Sequence, residues 1–439
     1  MRAIQLQRPS ADVSSSSPAR DATSADSKGH EKEQRRRAHI QFATLCWTLY
    51  LAGWNDGTTG PLLPRIQRVY NINFAVVSLL FVFACIGFIS GALSNLVLDG
   101  RYGFGKVTAQ SFFRSLFQVV AYCFESAAPP FPLFVLGYAI NGVGMALQDA
   151  QANGFVASLR DNPEMKMGIL HAYISSTNRR VGAGAFSSPL VATQFAQQPH
   201  WSFHYLCSLG LALLNTILLI AVFGLKTQDE CLTQIGVPPC EKGDSERSRF
   251  RQVFALRIVH LMAFFILVYV GVEVTVGGWI VTYVIDVRGG GPSSGYISSG
   301  FFGGLMVGRI SLLWVNRKVG ERRALFIYAF LAIGLELIVW LVPSLVGGAV
   351  AVSVIGILLG PMYPIAMNHA GRVLPRWLLT ISIGWIAGCG QAGSALLPFM
   401  TGAIASKSGI KTLQPVLVSM MAFMTCIWAL VPSSARRED

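Results

Sequence analysis

The sequence predicts an all-α polytopic membrane protein, with twelve transmembrane helices forming two six-helix bundles related by a parallel pseudo-repeat. Three observations carry that prediction: too few charges to coat a water-facing surface, apolar runs of membrane length along the chain, and an offset that lays one half over the other. Of 439 residues, 52% are hydrophobic and 13% charged, with mean hydropathy +0.50. A soluble domain carries about 25% charged residues. This composition excludes a soluble enzyme, a disulfide-built secreted domain and a nucleic-acid binder.

Residues 1–39 are polar and Ser-rich, without an apolar run, and end in Arg35, Arg36 and Arg37. They are expected to form a disordered cytosolic tail, since such composition buries too little surface to fold, and they lack the apolar core of a signal peptide. Candidate spans follow near 40–62, 74–98, 107–126, 131–157, 166–195 and 201–225, making an N-terminal bundle over 40–225. Each is close to the ~20 apolar residues that cross a bilayer. Residues 226–252 hold ten charged residues in 27 and read as a cytosolic linker. The second bundle, 253–432, has spans near 253–285, 294–315, 324–342, 347–370, 377–405 and 412–432, before a cytosolic tail at 433–439.

With the N-terminus in the cytosol, fifteen Lys and Arg fall in inside loops and five in outside loops. The positive-inside rule therefore puts both termini and the linker in the cytosol, and it accounts for the net charge of +13 without a nucleic-acid partner. Six of the eight cysteines lie in apolar runs, where cysteine acts as a small hydrophobe. Cys231 and Cys240 share a polar loop with no further ligand to complete a metal spacing. No metal and no cofactor are expected.

The two halves resemble each other. Loop 98–106 carries Asp99, Arg101, Gly103 and Lys106, and loop 315–323 carries Asn316, Lys318, Gly320 and Arg323. Gly103 and Gly320 align at an offset of 217 residues, and the same offset carries Asp56 onto Glu273. Two unrelated features at one offset indicate parallel repeats related by an axis along the membrane normal.

The pattern Asp-x-Arg-x-Gly-x-x-Lys at 99–106, with its degenerate copy, resembles the signature loop of the major facilitator superfamily. The likeness covers nearly the whole chain after residue 40. Gly53-Trp54-Asn55-Asp56, Gln148 to Asn153, Gly271-Val272-Glu273, Gly360-Pro361-Met362-Tyr363-Pro364 and Gly390-Gln391 to Pro398 resemble the fucose-permease-like sugar and proton symporters, in a fungal style. The resemblance implies that an acid in span 1 (Asp56) and one in span 4 (Asp149, anchored on Asn153) couple protonation to sugar binding. It also implies that Asp99, Arg101, Gly103 and Lys106 form a cytosolic gating loop.

Ionisable groups inside spans are costly to bury and are candidate functional sites. Asp56 lies about 24 Å along its span, and a carboxyl away from water favours its neutral form, the condition for a proton carrier. Its bland alternative is a cap for Thr58 and Thr59. Glu273, its repeat mate, joins Asp56 and Asp149 as a proton-coupling candidate or serves as an interhelical hydrogen bond. Asn55, Gln148, Gln151, Asn153, Asn368 and Gln391 each donate and accept, as a polyhydroxyl solute requires. With Trp279, Tyr363 and Trp385 they resemble a sugar-type site, although a lone Gln or Trp in a span is more often packing. Glu125 and Glu336 read as structural. Arg114 and Arg309 are embedded cations in need of partners, and Asp99 is available to either of them or to Arg101.

One segment departs from the pattern. Residues 174–180 add about seven polar residues, including Arg179 and Arg180, and each Arg costs about 2.5–3.5 kcal/mol at a helix centre. They read as a gene-model artefact or, failing that, as a basic site for an anionic solute. Transcript sequencing is expected to find a shorter form joining Tyr173 closely to Gly182 or Gly184. A single transcript with all seven residues, and loss of transport on Arg179→Ala and Arg180→Ala, sinks that reading.

The expected function is secondary active transport of a small polar solute, a sugar, by alternating access coupled to protons, since no phosphate-binding loop for ATP is present. A proton-driven exporter of a drug or secondary metabolite is the rival. A non-transporting membrane sensor is the alternative from another class. The expected partners are the solute, protons and the lipid bilayer, and the chain is expected to act as a monomer. The plasma membrane is expected rather than the vacuolar membrane.

Overall fold

The structure, a computed structural model, describes residues 18–102, 107–157, 181–224, 228–234 and 246–432. Twelve helices of fifteen or more residues fill these stretches. They are α1 (Pro18–Tyr70), α2 (Leu79–Tyr102), α3 (Val107–Ser126), α4 (Phe131–Ala157), α5 (Val181–Ala196), α6 (His204–Phe223), α7 (Arg257–Arg288), α8 (Tyr296–Ser311), α9 (Glu321–Leu341), α10 (Leu345–Leu359), α11 (Arg376–Ser408) and α12 (Leu413–Leu430).

Seven candidate spans pass on length and hydropathy alone, or eight if the bent pair Pro292–Ser311 and Leu313–Val319 counts as one. α1 is not among them because its middle carries Asn55, Asp56, Thr58 and Thr59. It packs against α5, α6 and α7 in the centre of the molecule, where polar residues need not face lipid.

One boundary differs from expectation. Residues 18–39, expected within a disordered tail, extend α1 as helix. Their run of Glu, Lys, Gln, Arg and Ala has good helix propensity, and Glu33 pairs with Arg36 and Arg37 at i+3 and i+4. The tenth span, expected near 347–370, runs over Leu345–Val373, with its helix interrupted at Gly360 and Pro361, where Pro361 lacks the N–H that an unbroken helix needs. The fifth span is described only from Val181, so Arg179, Arg180 and the rest of segment 174–180 lie outside the described residues.

The pseudo-repeat appears in the packing itself. In the first half the closest pairs are α1 with α5 and α2 with α4, and in the second α7 with α11 and α8 with α10. Glycines set these approaches. A Cβ on Gly87 or Gly91 of α2 would meet the carbonyl of Ala139 or Val143 of α4. A Cβ on Gly304 or Gly308 of α8 would meet that of Ser353 or Ile357 of α10. The offset is thus 217 between α2 and α8 but 214 between α4 and α10. In the same way Gly184 against Tyr50 matches Gly393 against Leu267, an offset of 209 between α5 and α11.

The halves meet through α1 with α7, α2 with α11 and α5 with α8. Three of their hydrogen bonds lie at the end away from the termini. Ala75 N donates to Ser406 Oγ at 2.7 Å, Gln197 Nε2 donates to the Pro292 carbonyl at 3.2 Å, and Gln194 Nε2 donates to the Tyr296 hydroxyl. The bundle is pinched shut at that end.

Candidate functional site

α1 and α7 cross where a Cβ on Gly60 would lie 2.1 Å from the Gly277 carbonyl oxygen. Gly60 and Gly277 are 217 residues apart, so they are repeat mates that touch each other. A residue can approach its own mate only near the symmetry axis, which places this crossing on the pseudo-two-fold. Asp56 and Glu273 are also mates and sit four residues before the crossing on each helix, about 6 Å nearer the termini. The structure thus brings the two acids to one level on either side of the axis.

Their surroundings differ. Asp56 lies deep within the bundle yet its side chain is exposed, as on the wall of a cavity. Glu273 Oε1 is 3.8 Å from Arg309 Nη2 of α8, and Arg309 Nε donates to the Gly360 carbonyl at 3.3 Å. The Tyr269 hydroxyl donates to the Leu359 carbonyl at 3.2 Å, with its ring centroid 6.2 Å from that of Tyr363. The 217 offset gives Arg309 and Tyr269 the mates Ala92 and Ala52, so Arg309 has no repeat mate of its own charge.

The 214 offset makes Asp149 of α4 the mate of Tyr363. Asp56 is within electrostatic reach of Glu273 and Asp149, and Tyr363 of Arg309, Asp149 and Glu273. Asp56, Asp149, Glu273 and Tyr363 therefore form a pseudo-symmetric quartet. Its first-half side offers two carboxyls, and its second-half side offers an ion pair with two tyrosines.

Removing one partner of a buried ion pair leaves a stranded charge, at a cost of about 3–5 kcal/mol when the pair is fully buried. Arg309 and Glu273 keep 23% and 20% side-chain exposure, which reduces that cost. Arg309→Met is expected to lower the melting temperature of the purified protein, and adding Glu273→Gln to restore most of it. Equal melting of Arg309→Met and the native protein removes the pair from the stability argument.

The other candidate residues separate by position. Asn55 is half-buried, accepts from Asn141 Nδ2 at 2.6 Å and donates to Met145 Sδ at 3.3 Å. Gln148 is buried between Gln118 and Asn215 instead of facing the cavity. Gln151, Asn153 and Gln391 are half-buried, and Asn153 Oδ1 has no hydrogen-bond partner. Trp279 is fully buried at the pinched end, donating to the Pro398 carbonyl at 3.0 Å with its ring against Phe74 and Phe81. Asn368 is exposed near the termini, bonded to Glu321, which also pairs with Arg372. Glu321 and Arg372 line a separate cavity of about 670 Å³ with His369 and Trp428. Asp99 and Arg101 end α2 with their side chains outside the described residues, as are Gly103 and Lys106.

Arg309 finds a partner in Glu273, whereas the side chain of Asp99 lies outside the described residues. The signal for the pair was present: an embedded acid and an embedded cation on consecutive spans. Gln118, Asn141 and Asn215 were not singled out, because lone amides in apolar runs carry no spacing signature. Among the described residues no group of three or more His, Cys, Asp or Glu could hold a metal ion.

Residues 45–398 match the Major Facilitator Superfamily. The chain is 26% identical over 416 residues to Bypass of stop codon protein 6 of Saccharomyces cerevisiae, covering 88% of this chain and 81% of that one. It is 20% identical over 353 residues to the glucose/mannose transporter GlcP of Bacillus subtilis, covering 79% and 83%. The crystal structure of a D-xylose-proton symporter superimposes with TM-score 0.71 at 11% identity, covering 90% of this chain and 98% of that one.

Proposed function

The chain belongs to the Major Facilitator Superfamily, and from that premise we propose that it carries a sugar together with protons across its membrane by alternating access. The observation that carries the reading is the asymmetry of the quartet. Glu273 has a cation 3.8 Å away, whereas the mate of that cation is Ala92. A guanidinium favours the charged form of the acid beside it, so the acid whose repeat lacks that arginine is the better candidate to gain and lose a proton. Asp56 and Asp149 are thus the proton-coupling residues, and Glu273 serves as counter-ion to Arg309. Asn55, Gln151, Asn153, Tyr363 and Gln391 are the proposed sugar contacts, and Gln148, Trp279 and Asn368 support the scaffold.

The test is uptake of labelled D-glucose, D-mannose, D-xylose and L-fucose by a sugar-transport-null host, with and without a proton uncoupler. Uncoupler-sensitive accumulation of at least one sugar is expected. Accumulation of none overturns the sugar reading.

The distribution of Lys and Arg supports cytosolic termini, so the pinched end faces outward and the cavity inward. Tags at residue 240 and after residue 439 are expected to resist external protease in intact cells. Cleavage of either from outside reverses the orientation.

A further inference from the structure

Behind the first-half side of the quartet runs a chain of buried amides that the transport reading does not use. Thr48 Oγ1 donates to Asn215 Oδ1 at 2.9 Å, Asn215 Nδ2 to Gln148 Oε1 at 3.0 Å, and Gln148 Nε2 to Gln118 Oε1 at 2.8 Å. Gln118 Nε2 then donates to Asn141 Oδ1 at 3.3 Å, and Asn141 Nδ2 to Asn55 Oδ1 at 2.6 Å. The chain visits α1, α6, α4, α3, α4 and α1 again, and all its members except Asn55 are buried. Its sense is fixed at the cavity end, where Asn55 Nδ2 meets Met145 Sδ, a group that only accepts.

Two features give this chain a purpose. Each cavity acid directly follows a relay amide, Asp56 after Asn55 and Asp149 after Gln148. Neighbours on a helix point about 100° apart, so an amide anchored into the bundle turns the next side chain away from that anchor. Four of the relay's six members have no polar mate in the second half: the mates of Thr48, Asn55, Asn141 and Gln148 are Phe265, Val272, Ile355 and Met362, all buried and apolar. There the acid is held by Arg309 instead. An arginine positions a carboxylate but also favours its charged form, which opposes the cycling of a proton. Neutral amides position without adding a charge.

We infer that Gln118, Asn141 and Asn215 are positioning residues, and that the relay from Thr48 to Asn55 holds Asp56 and Asp149 in fixed relation through neutral amides. The inference rests on the transport reading for its purpose, and its test has an arm that does not. In the first arm, melting temperatures of the purified full chain are measured for Asn55→Ala, Asn215→Leu and the double variant. These residues share no partner, and distant independent sites add. A double variant that loses clearly less than the sum of the single losses is expected, and an additive result overturns the relay. In the second arm, D-glucose uptake is measured for Gln118→Met, which keeps the volume and removes the amide. KM is expected to rise about 2- to 12-fold, the value of one neutral hydrogen bond, with a shifted pH profile. Thr48→Val replaces it if Gln118→Met does not reach the membrane. Unchanged KM and pH profile, with uptake lowered only in proportion to folded protein, makes these residues structural and overturns the inference. A host that takes up no D-glucose even with the native chain bears on the choice of sugar, and the melting cycle alone then decides the relay.

Discussion

Asp56→Asn abolishes sugar uptake driven by a pH gradient and leaves sugar exchange across the membrane intact. The expectation follows from the quartet. Asn keeps the size and hydrogen bonding of Asp but binds and releases no proton. Net uptake needs Asp56 to be reprotonated on one side and emptied on the other, so it falls to the level of protein-free vesicles. Exchange of labelled for unlabelled sugar requires only the loaded carrier to reorient, with no net proton movement. The measurement is uptake against counterflow in proteoliposomes. Glu273→Gln is the contrast: it strands Arg309 and lowers stability, but the pH dependence of uptake is expected to persist. Uptake by Asp56→Asn that still tracks the gradient returns Asp56 to the role of a cap for Thr58 and Thr59.

The sequence carried the membrane spans, the division into halves and one offset between them. Asp56 over Glu273 held at 217 because each shares an unbroken helix with its crossing glycine, Gly60 or Gly277. The later drift to 214 and then 209 was not read from the sequence, although its second step falls across 158–180, the stretch that includes the extra segment 174–180 and lies outside the described residues. Yet that drift is what pairs Asp149 with Tyr363 instead of with Ala366. Residue chemistry was legible where a charge sat alone in an apolar run, as with Asp56, Glu273 and Arg309, because burial makes such a residue expensive anywhere but a functional or paired position. The positions of Trp279, Gln148 and Asn368 were not legible. Their types suit a sugar site, but a side chain's value there depends on the face it presents, and the packing turns Trp279 and Gln148 inward. The amide relay was the least legible feature. Five amides on four helices become a chain only once those helices are packed.

Gly60→Val is expected to abolish transport by holding the outward end open. The new Cβ would start 2.1 Å from the Gly277 carbonyl oxygen, and that neighbour is backbone, which has no rotamer to yield. The two helices must separate at the one point where they cross on the symmetry axis. Relief by rocking the halves apart breaks the contacts beyond the crossing, including Ala75 with Ser406 and Gln194 with Tyr296. Alternating access needs both closed states, and a carrier denied one of them cannot complete a cycle. The reciprocal change is milder: a Cβ on Gly277 meets the Phe302 ring, a side chain, at 2.6 Å. Gly277→Ala is therefore expected to keep part of the uptake that Gly60→Val loses. The check is a cysteine at Gln194, in a chain with the exposed Cys123, Cys207 and Cys426 replaced by Ser. In intact cells a membrane-impermeant maleimide should label Gln194→Cys fast in the Gly60→Val background and slowly in the native one. Equal labelling with normal uptake shows that the crossing tolerates a side chain and does not gate the path.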